Sequence, residues 1–548
     1  MCFSLAGPGT CGAALIGFWD RRGFGGGWAD WRLNSGYPAV RGLREIWPEA
    51  GSGRLENSDL GRRLWVLASA NYGLGVRHFL VTVLALVILG ASPAAQQPQT
   101  AVHMANGIKI GEANHDSARV WVRLTKLLLP NETGAAFTLK KAKEAQLPEG
   151  KELGDMQGAV AGAAGEVRVQ CNVRGGRQKS GATAWLRVTA ATDFAHTFAL
   201  SALQPGSVYD VLVEGRVGKG HEPCVSVVGQ FRTAPAASAS VSASFCVITG
   251  QDYPRRDDKL LGHLIYREML KLRPDFLAHT GDTLYYDKAK PFATTVELAR
   301  FKWNRFYGLQ LPREFHRQVA TWFIKDDHDT LKDDCWPGQR YGELTFARGL
   351  EIYREQLPVG DVPYRRVRWG KHLEVWFLEG REFRSSNRDA DGPDKTILGK
   401  VQKQWLRTTL AASDATFRIV VSATPIVGPD RKSKRDNHSN KNFEHEGNEL
   451  RAFLASQPRT FVVCGDRHWQ YASQDPATGL REWCSGPTSD QHAGGFRVSD
   501  RTDMHSYLKI CGGFLHVLVQ EHDGKAKLVL RHYDPRGAVT HEDVLEGL

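Results

Sequence analysis

Cysteine is scarce in this chain, nine among 548 residues, and no two stand in Cys-x-x-Cys spacing, which argues against a structural zinc ribbon. Seven of them follow residue 75. Cys171 and Cys224 lie in one region and are placed to pair in an oxidising compartment, whereas Cys246 and Cys464 stand in apolar strands as small core residues. Long apolar runs are also missing. The uncharged run Phe79–Leu89 is shorter than the roughly 20 residues a transmembrane helix needs, so no stable membrane span is expected. There is no internal repeat and no coiled-coil heptad, which excludes solenoids and long coiled coils. No stripe of interleaved aromatic and basic residues marks a single-stranded nucleic-acid platform. Acidic residues are in deficit, 60 against 71 Lys and Arg, for a net charge of +11. That excess draws anions, but it does not choose among phosphate esters, nucleic acid and lipid.

At 548 residues the chain exceeds a single core. Residues 1–75, rich in Gly, Trp and Arg, keep neither a helical nor a strand period. Residues 76–95 open on Val76, Arg77 and His78, continue through the short apolar run and end in small residues. That is the pattern of a secretory signal, and it implies that residues 1–75 precede the true translation start. Export to the periplasm, the cell surface or the medium is therefore expected. From 102 to 235 short alternating segments with turn signals predict an antiparallel β-sandwich, in which Leu203–Val211 resembles the turn and tyrosine strand of immunoglobulin/fibronectin-like domains. The small, unpatterned run Ala234–Ala243 reads as a linker. Residues 244–548 then alternate apolar strands with helical patterns, predicting an α/β domain.

Chemistry concentrates at strand ends of that second region. Phe276–Thr280 runs into Gly281-Asp282 with Tyr285 close behind, and Phe461–Cys464 runs into Gly465-Asp466 with His468 two residues on. Ligands of open α/β sheets sit at this edge. Between the two copies lie Asp326, Asp327, His328 and Asp329 with Asp333 and Asp334. Asp252 follows an earlier strand, and Arg381 with Arg384 follows another. Carboxylate, phenolate and imidazole donors suit hard or borderline ions: iron, calcium, zinc or manganese. Paired ions generate a hydroxide and clamp the oxygens of a phosphoryl group, and arginine forks match phosphate. Asp329 and one of Asp333 and Asp334 read as a solvated acidic turn or helix cap. Gln402 and Trp405 read as helix packing residues. The basic loop from Arg431 to Lys441 belongs at the ligand edge, as does the Gly/Ser-rich segment Ser485–Gly495, whose His492 is a candidate substrate contact.

With these motifs the chain resembles the D-type alkaline phosphatases, the PhoD-like metallophosphoesterases, over roughly Gly107 to Tyr533. The resemblance rests on Gly281-Asp282 with Tyr285, on Asp326 to Asp329 with Asp333 and Asp334, on Leu378 to Arg381 with Arg384, on Leu398, Gly399, Gln402, Trp405 and Leu406, and on Gly465 to Trp469. It implies a layered αββα metallophosphoesterase domain preceded by a small all-β sandwich. It also implies two or more metal ions, iron and calcium in the first place. Asp282 would bridge them, Tyr285, Asp466 and His468 would complete the ligand set, and Asp333 or Asp334 would take the place of a ligating asparagine. Asp327 and His328 would steer water, protonate the leaving oxygen or support the ligands from behind. By their own chemistry Arg381 and Arg384 either contact phosphate or make ion pairs. The family's cysteine ligand is replaced by Gly250, so that either Asp252 substitutes as a ligand or the first metal is held more weakly or replaced by another. The expected function is hydrolysis of phosphate monoesters or diesters by a metal-bound hydroxide, with nucleic acid only as a substrate. The alternatives are a polymer-directed phosphodiesterase or nuclease, and an inactive binding protein that kept the fold.

Overall fold

The computed structural model describes residues 101–139, 145–176 and 181–547; the expected leader and signal, residues 1–75 and 76–95, lie outside them. The described residues fall within one compact unit, Gln96–Leu548. A nine-stranded sheet runs in the order Val539–Glu546, Lys525–Tyr533, Phe514–His522, Ala243–Ile248, Phe276–His279, Ala320–Phe323, Ile108–Gly111, Ala118–Arg123, Ala195–Leu200. A seven-stranded sheet runs Arg365–Trp369, Leu373–Phe377, Phe417–Ser422, Thr460–Cys464, Arg481–Ser485, Gln470–Gln474, His505–Lys509.

The central strands are apolar throughout because both of their faces are covered. In Ala243–Ile248, Phe245 and Val247 point into a core shared with Val375, Phe377, Ile419, Val421 and Val463 of the other sheet. Their neighbours Cys246 and Ile248 point the opposite way, onto Ile265, Tyr266 and Met269 of the helix Ile265–Leu272. On the far side, Trp376, Val420 and Val462 meet Leu406 and Leu410 of the helix Gly399–Ala411 and Leu450 and Leu454 of the helix Glu444–Ser456. The period of two thus writes four layers, helix, sheet, sheet, helix, and each buried aliphatic contributes about 1.5–3 kcal/mol.

The strands over 102–235, expected to form a β-sandwich domain of their own, divide chiefly between a four-stranded sheet and the nine-stranded one. Ile108–Gly111 pairs in parallel with Ala320–Phe323 and antiparallel with Ala118–Arg123, so three early strands extend the nine-stranded sheet. The four-stranded sheet, Leu186–Val188, Gly165–Val173, Val208–Arg216 and Val225–Arg232, packs its Val167, Val211 and Val213 on Ile108, Val120 and Ala320. Ala320–Phe323 would otherwise present an open edge. The pairing of Cys171 with Cys224 is not found, and both are free. Cys171 stands opposite Val211, whereas the Cys224 thiol lies near the Gly215 carbonyl. Four residues of strand, about 13 Å, separate those two positions.

Glu446 joins the helix Glu444–Ser456 to two loops. Its carboxylate accepts from the Ile397 amide at 2.5 Å, from the Thr396 hydroxyl and from His438 Nε2 at 3.0 Å. Burial opposes its charge, but the His438 hydrogen bond and the Ile397 and Thr396 donors outweigh it and bring the group from 4.5 to about 2. A carboxylate depressed on folding stabilises fully above the unfolded value and loses that contribution as pH falls from about 4.5 through about 2. Glu446→Gln should lower stability at pH 7 by about 1–3 kcal/mol and flatten the pH dependence across that window, as denaturant melts at pH 2.5, 4 and 7 would show. Ile110→Ala, at the fully buried face shared by the early strands, should cost about 2–5 kcal/mol in the same assay.

Candidate metal centre

The parallel strands Phe276–His279, Ala320–Phe323, Phe417–Ser422 and Thr460–Cys464 bring their C-terminal ends to one edge, where the two sheets converge. The Asp466 amide donates to Thr249 Oγ1 at 3.2 Å across that junction. A Cβ on Gly465 would meet Thr280 Oγ1 at 2.2 Å, and one on Gly281 would meet the Asp326 amide at 2.6 Å. Only glycine permits either approach. The aspartate after each glycine takes a left-handed turn, φ 54° at Asp282 and 64° at Asp466, which swings both carboxylates off their strands.

Asp329 holds this geometry together. Of its two readings, solvated turn or helix cap, the cap holds: the residue is fully buried, and its oxygens accept from the Asp282 and Thr283 amides at 2.6 Å and from the helix-capping Asp326 amide at 3.0 Å. Burial pushes its carboxyl up to about 7 against those donors. Asp326 caps the short helix Asp327–Thr330 and accepts from Arg381 Nε at 2.6 Å. Of the two readings of Arg381, phosphate contact or ion pair, the structure has the ion pair. Arg381 is 1% exposed, outside the residues lining the cleft, with its guanidinium engaged by Asp326 and 3.9 Å from Asp327. Arg384 is buried likewise, on Asn387 and the Asp436 carbonyl. Gln402 clamps the backbone just before Arg381, accepting from the Glu379 amide at 2.7 Å and donating to its carbonyl at 2.8 Å.

Among the described residues, three groups of carboxylates and histidines have ligand atoms within 4.8 Å of one another: Asp282 with Asp327 and His328, Asp282 with Asp326 and Asp466, and Asp327 with Asp333 and Asp334. Asp282 is common to the first two. Asp327, expected to steer water, thus sits beside it as a ligand candidate, whereas Asp333 and Asp334 group with Asp327, and Asp333 also stands 3.7 Å from His328 Nε2. Asp252 belongs to none of these groups and faces Arg255 at 3.5 Å, because its loop turns away after Gly250. Tyr285 donates to Asp282 Oδ2 at 3.0 Å and lies 3.2 Å from His468 Nε2.

The donor set fits a cation. Asp282 Oδ1 and Asp326 Oδ2 are buried without a hydrogen-bond partner. Burial, and then the repulsion of Asp327, Asp326 and Asp329, hold Asp282 well above the ordinary carboxylate range despite His328. Asp327 stays far below that range, since His328 and Arg381 overcome its burial. His328 is buried, yet Asp327, Asp282 and Asp287 raise it to about 10, with Nδ1 2.7 Å from Asp287. Burial lowers His468 well below its ordinary value.

Asp282, Tyr285, His328, Asp466 and His468 line a cleft of about 510 Å³ whose walls also carry Arg255, Lys288, Arg431 and Lys434. Lys434 is 3.2 Å from Asp334 and 3.7 Å from Asp436, so the basic loop is pinned to the acidic cluster. Arg467 anchors the same loop through Asp430 at 3.0 Å and Asp436 at 3.2 Å. Sequence reasoning missed Asp287, Asp430 and Asp436. Asp287 was findable, two residues after Tyr285, whereas the other two lie inside a charged loop with no pattern to separate them from its solvated residues.

Four layers with donors at the converging sheet edges define an α/β metallophosphatase-like fold. Two solved structures share it: one titled "Structure of PhoD", with a TM-score of 0.62 and 17% identity over 83% of this chain and 92% of that one, and the purple acid phosphatase PPD1 of yellow lupin seeds, with 0.54 and 11% over 80% and 74%. Alkaline phosphatase D of Bacillus subtilis (strain 168) is 26% identical over 343 residues, 52% of this chain and 55% of the relative, so the chain spans about half the length of that curated relative. Residues 245–507 match the family model of the PhoD-like phosphatases.

Asp329→Ala should leave three buried amides without an acceptor, costing at least about 2 kcal/mol and lowering zinc uptake. Asp329→Asn, which retains one acceptor oxygen, should fall between the variant and the parent in melting temperature and in metal content by elemental analysis.

Proposed function

We propose that this chain is a metal-dependent hydrolase of phosphate monoesters or diesters. One observation carries the reading. A buried Asp282 with an unpartnered oxygen stands where two carboxylate groups meet, at the floor of a cleft walled by Arg255, Lys288, Arg431 and Lys434. Asp282, Tyr285, Asp327, Asp466 and His468 would hold the ions, with Asp326 behind them. Ions bound there supply Lewis acidity and lower the pKa of an attacking water. Iron, calcium, zinc and manganese all suit these donors.

The chain's own residues would do the rest. The cationic wall draws the phosphate in and orients it. His328 lines the cleft, and its Nε2 is the proton source for the leaving oxygen. Asp287 fixes that ring through Nδ1. Arg381 acts from behind, keeping Asp326 and Asp327 in place. The signal-like pattern of residues 76–95 supports export, and the sheets over residues 102–235 support a role for that region in completing the scaffold.

Hydrolysis of p-nitrophenyl phosphate and of bis-p-nitrophenyl phosphate should depend on added divalent ion and stop with chelator, and the ratio of the two rates identifies the preferred ester. Asp282→Ala should reduce kcat/KM at least about 100-fold. Turnover that persists in chelator, or in this variant, would overturn the reading.

A further inference from the structure

His492 ends the short turn Asp490–His492, and the turn is tied down on three sides. The Ser489 hydroxyl donates to Asp257 at 2.9 Å, Ser489 Oγ accepts from the Gln491 amide at 3.2 Å, and Asp490 Oδ1 accepts from the Gly512 amide at 2.9 Å. The imidazole itself is 4% exposed. Its Nδ1 lies 3.1 Å from the Gly250 carbonyl, to which the Thr488 hydroxyl also donates at 3.1 Å. A carbonyl oxygen only accepts, so Nδ1 carries the hydrogen. The neutral ring then presents a lone pair at Nε2.

Among the described residues that lone pair has no hydrogen-bond partner, and the ring lines the cleft. Its centroid lies 4.0 Å from that of His468 and 5.2 Å from that of Tyr285, the two residues whose donor atoms stand 3.2 Å apart. An Nε2 acceptor cannot donate to a phosphate oxygen, which is itself only an acceptor. What it can bind is a cation. Anchoring one imidazole nitrogen on a backbone carbonyl so that the other faces an ion is the usual support of a ligating histidine. Gly250, having no side chain, gives the site only the carbonyl that orients this ring; a Cβ there would lie 3.5 Å from the His468 ring.

We infer that His492 is a further metal ligand of this centre, supplying Nε2 to the ion held by Tyr285 and His468, with the Gly250 carbonyl fixing its tautomer. The inference rests on the metal-centre reading above.

The test titrates metal-free protein with Zn²⁺ against a chromogenic chelator and with Co²⁺ by visible absorption, for the parent, His492→Ala and His492→Gln. The expected result is at least about a tenfold loss of affinity for one ion in both variants, a changed Co²⁺ spectrum, an unchanged melting temperature of the metal-free protein, and recovery of affinity by free imidazole in His492→Ala. If His492→Ala fails to fold, His492→Gln carries the same measurements. Parent-like affinity and spectrum in a folded variant would overturn the assignment of His492 alone. A parent protein that takes up neither ion would overturn the metal centre itself.

Discussion

Two β-sheets meet at their C-terminal edges so closely that Gly465 has no room for a Cβ beside Thr280 and Thr249. Every donor of the site depends on that contact. With a side chain at 465 the sheets would have to separate, and Asp466 with His468 would withdraw from Asp282 and Tyr285. The same closeness excludes water, which is why the carboxylates brought there have such displaced proton affinities. Concentrating Asp282, Asp326, Asp327 and Asp466 in one buried spot is unfavourable unless cations answer them. The chain supplies only some: Arg381 for Asp326, His328 for Asp327, Arg467 for Asp430 and Asp436. Asp282 is left as the group without a dedicated counter-charge, and a metal ion would complete the balance.

A division of labour follows from burial. Arginines whose charge lies under the acidic cluster, Arg381, Arg384 and Arg467, are structural, since ion pairs and carbonyls occupy their forks. The cations that reach the cleft, Arg255, Lys288, Arg431 and Lys434, come from loops that follow different strands. Lys434 and Arg467 pin the basic loop from opposite sides, and Glu446 with His438 holds its far end. Charge in that loop is thereby built into the scaffold at one residue and offered to the cleft at the next, which composition alone does not distinguish.

Much of the site was legible because a strand that ends in Gly-Asp announces both its position and its geometry. Asp282 and Asp466 are at strand ends, with Tyr285 and His468 a fixed step further on, and local spacing determines where each points. Readings stay open or fail where proximity in sequence is a poor guide to proximity in space. Asp252 is near Gly250 along the chain, yet its side chain turns to Arg255. Arg381 has the right chemistry for phosphate but lies behind Asp326. Asp329 looks like one more acidic turn residue until three amides are found pointing at it. The strand Ile108–Gly111 reads as part of a separate sandwich because nothing local says that it will cover the edge of Ala320–Phe323.

The sequence by itself determined the alternation of strands and helices after residue 244, the doubly buried character of the central strands, and the glycines that make close approach feasible. Each of these is a local property, set by a period of two, by capping residues or by the absence of a Cβ. Only the tertiary structure decided which aspartates share a site, which arginines are accessible, that the early strands belong to the large sheet, and which nitrogen of His492 is free. Those outcomes depend on contacts between residues as far apart as Gly250 and His492, and burial, charge pairing and hydrogen-bond direction are fixed there only once the two sheets have closed on one another.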